Sequence, residues 1–198
     1  MTIWTCKGPL AAFGVMLLTA CEGGQGLGAS SGAAKPPLSR AKMAGGVELV
    51  APDGFCIDQT SLEARFAVIA RCDGLGAPAS AGAAPRGLIT VSLTQSKPGS
   101  LPSAQQIAAE TSLQNVSDVE KGDQSVTFRA QGRIPVGGLS PNQWRGVARM
   151  GTQTAGIAVY GPERGEIVSP SGRRVLTQLI TRSIDASAPA KTTVAQRN

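Results

Sequence analysis

The stretch that decides the fold is Trp144-Arg145-Gly146-Val147-Ala148-Arg149-Met150, followed after Gly151 by Thr152-Gln153-Thr154-Ala155-Gly156-Ile157-Ala158-Val159-Tyr160. Both runs are β-rich, and they read as two strands turning at Gly151 or one long strand broken there. Beyond them, Ser169 or Ser171 caps a helix ending near Ile184. Its Val175, Leu176, Leu179, Ile180 and Ile184 recur at helical spacing on one face.

Upstream, residues 47–50 form a short strand, Ala51-Pro52-Asp53-Gly54 a turn and residues 55–58 a second strand. Thr60 or Ser61 is placed to cap a short helix through Arg65. Residues 66–72 read as a strand in preference to a continuation of that helix, because Phe66-Ala67-Val68-Ile69-Ala70 alternates and is β-rich. Residues 88–94, Leu-Ile-Thr-Val-Ser-Leu-Thr, are a clear strand. Pro102 opens a helix through Ala104, Ile107, Ala108 and Leu113, with Ser100 or Leu101 near its cap. Residues 125–133 are another strand. Residues 74–87 and 134–142 are loops, rich in turn-forming residues. Strands, a helix, more strands and a closing helix predict an α+β domain, its antiparallel sheet carrying the helices on one face. The Val50-Ala51-Pro52-Asp53-Gly54-Phe55 opening, the late strands over 144–160 and the closing helix resemble the PsbP/Mog1-like α+β fold. The likeness is one of topology alone.

The chain has 198 residues, with 19 Lys and Arg against 13 Asp and Glu, no histidine and a net charge of +6. Residues 47–185 are enough for one domain with a real core. The Gly-, Ala- and Pro-rich segment before them, within residues 21–46, reads as a flexible tether of about 25–30 Å root-mean-square span. Residues 186–198, rich in Ala, Thr and Pro, read as a disordered tail.

At the N-terminus, Lys7 precedes an apolar run over residues 10–18. It is roughly half the ~20 residues needed to span a bilayer, and suits the core of a signal peptide. It ends in Leu18-Thr19-Ala20-Cys21, which resembles the lipobox of bacterial lipoproteins. That resemblance implies a leader over residues 1–20, an acylated Cys21 as mature N-terminus, and a lipid bilayer as partner. The alternative is a plain secreted protein cut at a weaker site. In the lipoprotein family an Asp after the cysteine retains the protein at the inner membrane. Glu22 therefore favours the outer membrane, with the domain facing the periplasm.

Cys6 leaves with such a leader and Cys21 is consumed by lipid, so Cys56 and Cys72 remain. An exported protein meets oxidising conditions, and a structural disulfide between these two would close a loop worth about 3 kcal/mol. The competing reading, a redox or metal pair, has neither C-x-x-C spacing nor a histidine to support it. Without histidine, Ser-His-Asp and Cys-His sites cannot form and the commonest metal ligand is missing. Ser39-Arg40-Ala41-Lys42 matches S-x-x-K but lies in the tether without companion motifs. Asp53, Asp58, Glu63 and Asp73 surround the cysteine loop. They carry the alternative of a small periplasmic hydrolase or metal-binding protein, although turn chemistry accounts for Asp53 and Asp73. No cofactor is expected.

Arginine is the remaining signal, because the positive excess concentrates after residue 129. Arg129 and Arg133 share one side of their strand, and Arg145 and Arg149 share one side of theirs. Pairing through residues 134–142 would set Arg129 near Arg149 and Arg133 near Arg145. Val126, Phe128, Ala130, Trp144, Gly146, Ala148 and Met150 would then face the core. Four arginines on one face read either as a solvated surface or as a contact for an anionic envelope polymer or an acidic protein. Nucleic acid is not an expected partner of an exported lipoprotein with few aromatics. The expected function is non-enzymatic binding or assembly at the periplasmic surface. A structural subunit of an envelope complex, docking through the closing helix, is a further alternative.

Overall fold

Alternation between buried and exposed side chains organises the strands. The computed structural model describes residues 35–78 and 84–189. In chain order the elements are β1 (Arg40–Lys42), β2 (Glu48–Val50), β3 (Phe55–Ile57), β4 (Phe66–Arg71), β5 (Leu88–Gln95), α1 (Ala104–Glu110), β6 (Gln114–Lys121), β7 (Ser125–Gln131), β8 (Asn142–Met150), β9 (Gln153–Tyr160) and α2 (Pro170–Ser187). Seven strands form one antiparallel sheet in the order β3-β4-β5-β9-β8-β7-β6, and β1 and β2 form a separate hairpin. The fold is α+β with an antiparallel sheet and a C-terminal helix.

The main core lies between the sheet and a layer made of α2 and the β1–β2 hairpin. Ala67, Ile69, Ile89, Val91, Trp144, Ala148, Met150, Ile157 and Val159 of the sheet meet Leu49 of β2 and Leu176, Leu179 and Ile180 of α2. Each of these three α2 side chains is buried, contributing roughly 1.5–3 kcal/mol. Ser169 caps α2 by accepting from Ser171 N, and Pro170 occupies the first turn. The Trp144 indole donates to Ser169 O at 2.8 Å, tying the start of the helix to β8. Glycines allow this close approach. A Cβ on Gly172 would lie 1.8 Å from Ile167 O, and one on Gly146 would press on Leu176 and Ile180 at 3.0 and 3.1 Å.

The two helices do not share a face. α1 packs with Leu113 against Val126, Phe128 and Ala130 on the opposite side of the sheet, forming a second, smaller core. The apolar stripe of α1 required burial but could not specify which side supplies it. Its cap also differs from expectation. Ser103 accepts from Gln106 N while the Gln106 side chain accepts from Ser103 N, a reciprocal capping box that starts the helix after Pro102.

Three further segments depart from the sequence reading. Residues 40–42, within the expected tether, form β1 because β2 supplies a partner strand. Residues 60–65 form a hairpin turn in place of a helix. Asp58 accepts from Thr60 N at 2.9 Å, and the Ser61 hydroxyl accepts from Val68 N at 3.0 Å, so the polar side chains close the turn. Residues 114–121 form an edge strand whose register against β7 slips twice, with left-handed backbone at Asn115 and Asp118. Such bulges twist an edge away from further pairing. At the opposite edge, Leu38 exchanges backbone hydrogen bonds with Ile57 of β3. The expected leader (residues 1–20), Cys21 and Glu22 lie outside the described residues. Of the expected tail, 186–198, α2 takes residues to Ser187, and residues 190–198 lie outside the described set.

The free edge of β2 is satisfied by serines of α2. Val50 N donates to Ser183 Oγ at 3.0 Å and Glu48 N to Ser187 Oγ at 2.9 Å. Ser183 is fully buried. Replacing it with Ala leaves a buried N–H unpaired, at a cost of about 1–3 kcal/mol. Urea unfolding of Ser183→Ala should show this loss, and an unchanged midpoint would contradict the role given to the serine.

Candidate functional site

α1 is only seven residues long and covers the β6–β7 part of its face. Among the described residues, that face stays open on β5, β8 and β9. Alternation places Thr90, Ser92 and Thr94 of β5, Arg145, Val147 and Arg149 of β8, and Thr154, Gly156 and Ala158 of β9 side by side there. Two adjoining hollows of ≈ 350 and ≈ 580 Å³ follow this surface, with Thr94, Pro102, Glu110 and Thr154 lining both. Together they form a trough walled by α1 and floored by the sheet. Arg145 lines the first hollow; Arg149 and Lys97 line the second.

Two of the floor hydroxyls are already engaged as donors. Ser92 Oγ donates to Gly156 O and Thr94 Oγ1 to Thr154 O, both at 3.3 Å, and Ser96 Oγ lies 3.0 Å from Thr154 Oγ1. What Ser92 and Thr94 still offer outward is lone pairs. Arg145 is half-buried, its guanidinium 5.5 Å from the centre of the Tyr160 ring, with Nε shut away from solvent and lacking a hydrogen-bond partner. Burial pushes the Arg145 pKa below its ordinary value, while the Tyr160 phenol acts in the opposite direction. Among the described residues, no carboxylate within 4.0 Å pairs with Arg145 or Arg149. Arg149 donates to Gly99 O, on the loop after β5.

The four arginines expected on one face are divided. β7 and β8 pair with Arg129 opposite Trp144 and Phe128 opposite Arg145, so Arg129 does not meet Arg149. Relative to the expected pairing the register is shifted by an odd number of residues, and an odd shift reverses a strand's faces. Arg129 therefore lies on the α2 side, beside Trp144, while Arg145 and Arg149 lie on the open side. Arg133 is exposed in the loop beyond β7. Val126, Phe128 and Ala130 are buried under α1 and Trp144, Gly146, Ala148 and Met150 under α2, so all are internal but on different faces. Two later cations are paired with carboxylates. Arg173 lies within 3.4 Å of Glu120 and 3.9 Å of Asp118, and over the Trp144 ring at 5.1 Å; Arg182 pairs with Asp53 at 2.8 Å. Glu110, Tyr160 and the floor hydroxyls were not singled out from sequence. The polar positions alternating along residues 88–94 were the available sign of an uncovered face.

The chain matches no family model and no curated protein. Among solved structures it is similar to a mutant form of the protein Mog1, with a TM-score of 0.43 and 14% identity over 73% of this chain and 93% of that one. This is a distant similarity of fold, and no residue role is transferred from it.

Cys56 and Cys72 form a disulfide that ties the edge strand β3 to the end of β4. Three of the four carboxylates around it have separate side-chain or backbone partners, and only the backbone of the fourth, Glu63, is engaged. Asp58 accepts from Thr60, Asp73 from Arg71 and Gly74 N, and Asp53 from Arg182 and Gln178. Glu63 contributes its backbone N–H to Phe66 O. Among the described residues, no group of three or more Cys, Asp and Glu could hold a metal. Arg182 and then Gln178 hold the Asp53 carboxyl below its ordinary value of 3.8. A lowered folded-state pKa means that this contribution is present above the unfolded value and is lost as pH falls through the folded one. The exposed pair is worth at most about 1 kcal/mol. Asp53→Asn should therefore be slightly less stable than the parent at neutral pH, with the gap closing below about pH 3.8; a gap unchanged down to pH 2 would contradict the linkage.

Proposed function

We propose that this is a lipid-anchored envelope protein whose domain binds an anionic ligand in the trough, without catalysis. The observation that carries the binding role is Arg145. Among the described residues it is a half-buried cation with an unpartnered Nε and no carboxylate partner, lining a hollow of ≈ 350 Å³. A desolvated charge without a counter-ion is costly, and an incoming anion would relieve that cost while gaining a charge-assisted hydrogen bond. The lipobox-like Leu18-Thr19-Ala20-Cys21 supports acylation at Cys21, and Glu22 supports an outer-membrane, periplasm-facing location. Two or more acyl chains would make the anchor stable, and the disulfide suits an oxidising compartment.

Both halves are testable. In a bacterial host, an alkynyl palmitate analogue should label the parent chain and not Cys21→Ala; equal labelling, or none in either, would overturn the anchor. Glucuronate, used as a simple carboxylate probe, should bind the full chain in detergent, and Arg145→Gln should weaken that binding at least about tenfold by calorimetry. Absence of binding, or binding unaffected by the substitution, would overturn the trough as the anion site.

A further inference from the structure

The trough has a charge pattern as well as a charge. Arg145 and Arg149 are four residues apart on β8, on the same face, so their Cα atoms are about 13 Å apart. Arg145 turns towards Tyr160, and Arg149, which lines the other hollow, donates to Gly99 O on the loop after β5. Between them, where the two hollows join, stand Glu110, Thr94 and Thr154. Glu110 is an exposed carboxylate, and the Thr94 hydroxyl has spent its proton on Thr154 O. The middle of the trough therefore accepts hydrogen bonds, and its ends attract negative charge.

From this arrangement we infer that the ligand is an extended acidic oligosaccharide, carrying carboxylates at separated positions and hydroxyl groups between them. The inference rests on the anion-binding reading above and adds its ligand class. Carboxylates take the guanidinium donors of Arg145 and Arg149, and sugar hydroxyls donate to Glu110 and the threonine floor. A ligand that is anionic along its whole length, such as polyphosphate, has no donors for the middle and meets Glu110 with like charge. Among the described residues, a peptide held by strand addition finds both edges of the seven-stranded sheet unsuitable, since β6 is bulged and β3 is bridged by Leu38. Gly156 leaves the floor low: a Cβ there would approach Ser92 Oγ at 3.2 Å, and a larger side chain would rise into the space a sugar ring would fill.

The test is calorimetric titration of the full chain in detergent with glucuronate, a linear tetraglucuronate, a neutral tetrasaccharide and tetrapolyphosphate. The tetraglucuronate is expected to bind at least about tenfold tighter than the monomer. It should also exceed the neutral sugar and the polyphosphate. Arg149→Gln should collapse the tetramer-to-monomer ratio. Gly156→Val, which keeps a residue suited to strands, should weaken the tetramer by obstructing the floor, with circular dichroism checking that both variants are folded. If glucuronate binds through Arg145 but the tetramer is no tighter, the extended ligand is wrong and the anion site stands. Tighter polyphosphate binding overturns the saccharide class. If no anion binds, both readings fail together.

Discussion

The seating of α2 on β8 governs the rest of the molecule. Trp144, Ala148 and Met150 are buried in the core on that side, Gly146 makes room there for Leu176 and Ile180, and Gly172 lets the first turn of the helix approach. Because strand side chains alternate, committing these positions to one side sends Arg145, Val147 and Arg149 to the other. On that other side, among the described residues, the one helix is the short α1, which buries Phe128 and its neighbours and stops. A half-buried cation in an open trough thus follows from where the long helix packs.

The same packing accounts for the smaller hairpin. β1 and β2 lack the length to stand alone, since isolated two-stranded hairpins are marginal in water. They persist because Leu49 enters the main core and Ser183 and Ser187 satisfy the outward N–H groups of Val50 and Glu48. Asp53, in the turn that follows, bonds to Gln178 and Arg182 of the same helix. One face of α2 therefore fills the core, and its polar side chains hold the chain that runs past it.

Local features of the sequence identified the strand over residues 88–94, the strands within 144–160 and the closing helix, because their periodicities are long and undisturbed. The arginine site was only half legible. Arg145 and Arg149 share a face by spacing alone, but their relation to Arg129 depends on the β7–β8 register, which no short-range pattern reports. The side of the sheet taken by α1 was hidden for a similar reason: Ala104, Ile107 and Ala108 specify an apolar stripe and leave its partner open. β1 was obscured by a Gly- and Pro-rich setting, and β6 by polar residues on both faces. Thr90, Ser92 and Thr94 were in view throughout, as a polar row on a strand whose other side is apolar, and they mark the floor of the trough.

The proposed function rests on anions meeting this protein at Arg145 on the open sheet face. It is tested most directly by following the arginine Nε–Hε resonances of the full chain in detergent during titration with tetraglucuronate. Saturable shifts are expected at Arg145 and Arg149, with Arg129 on the α2 side and Arg133 in its loop unmoved. Shifts confined to Arg129, Arg133 or the arginines of α2, with Arg145 silent, would contradict it.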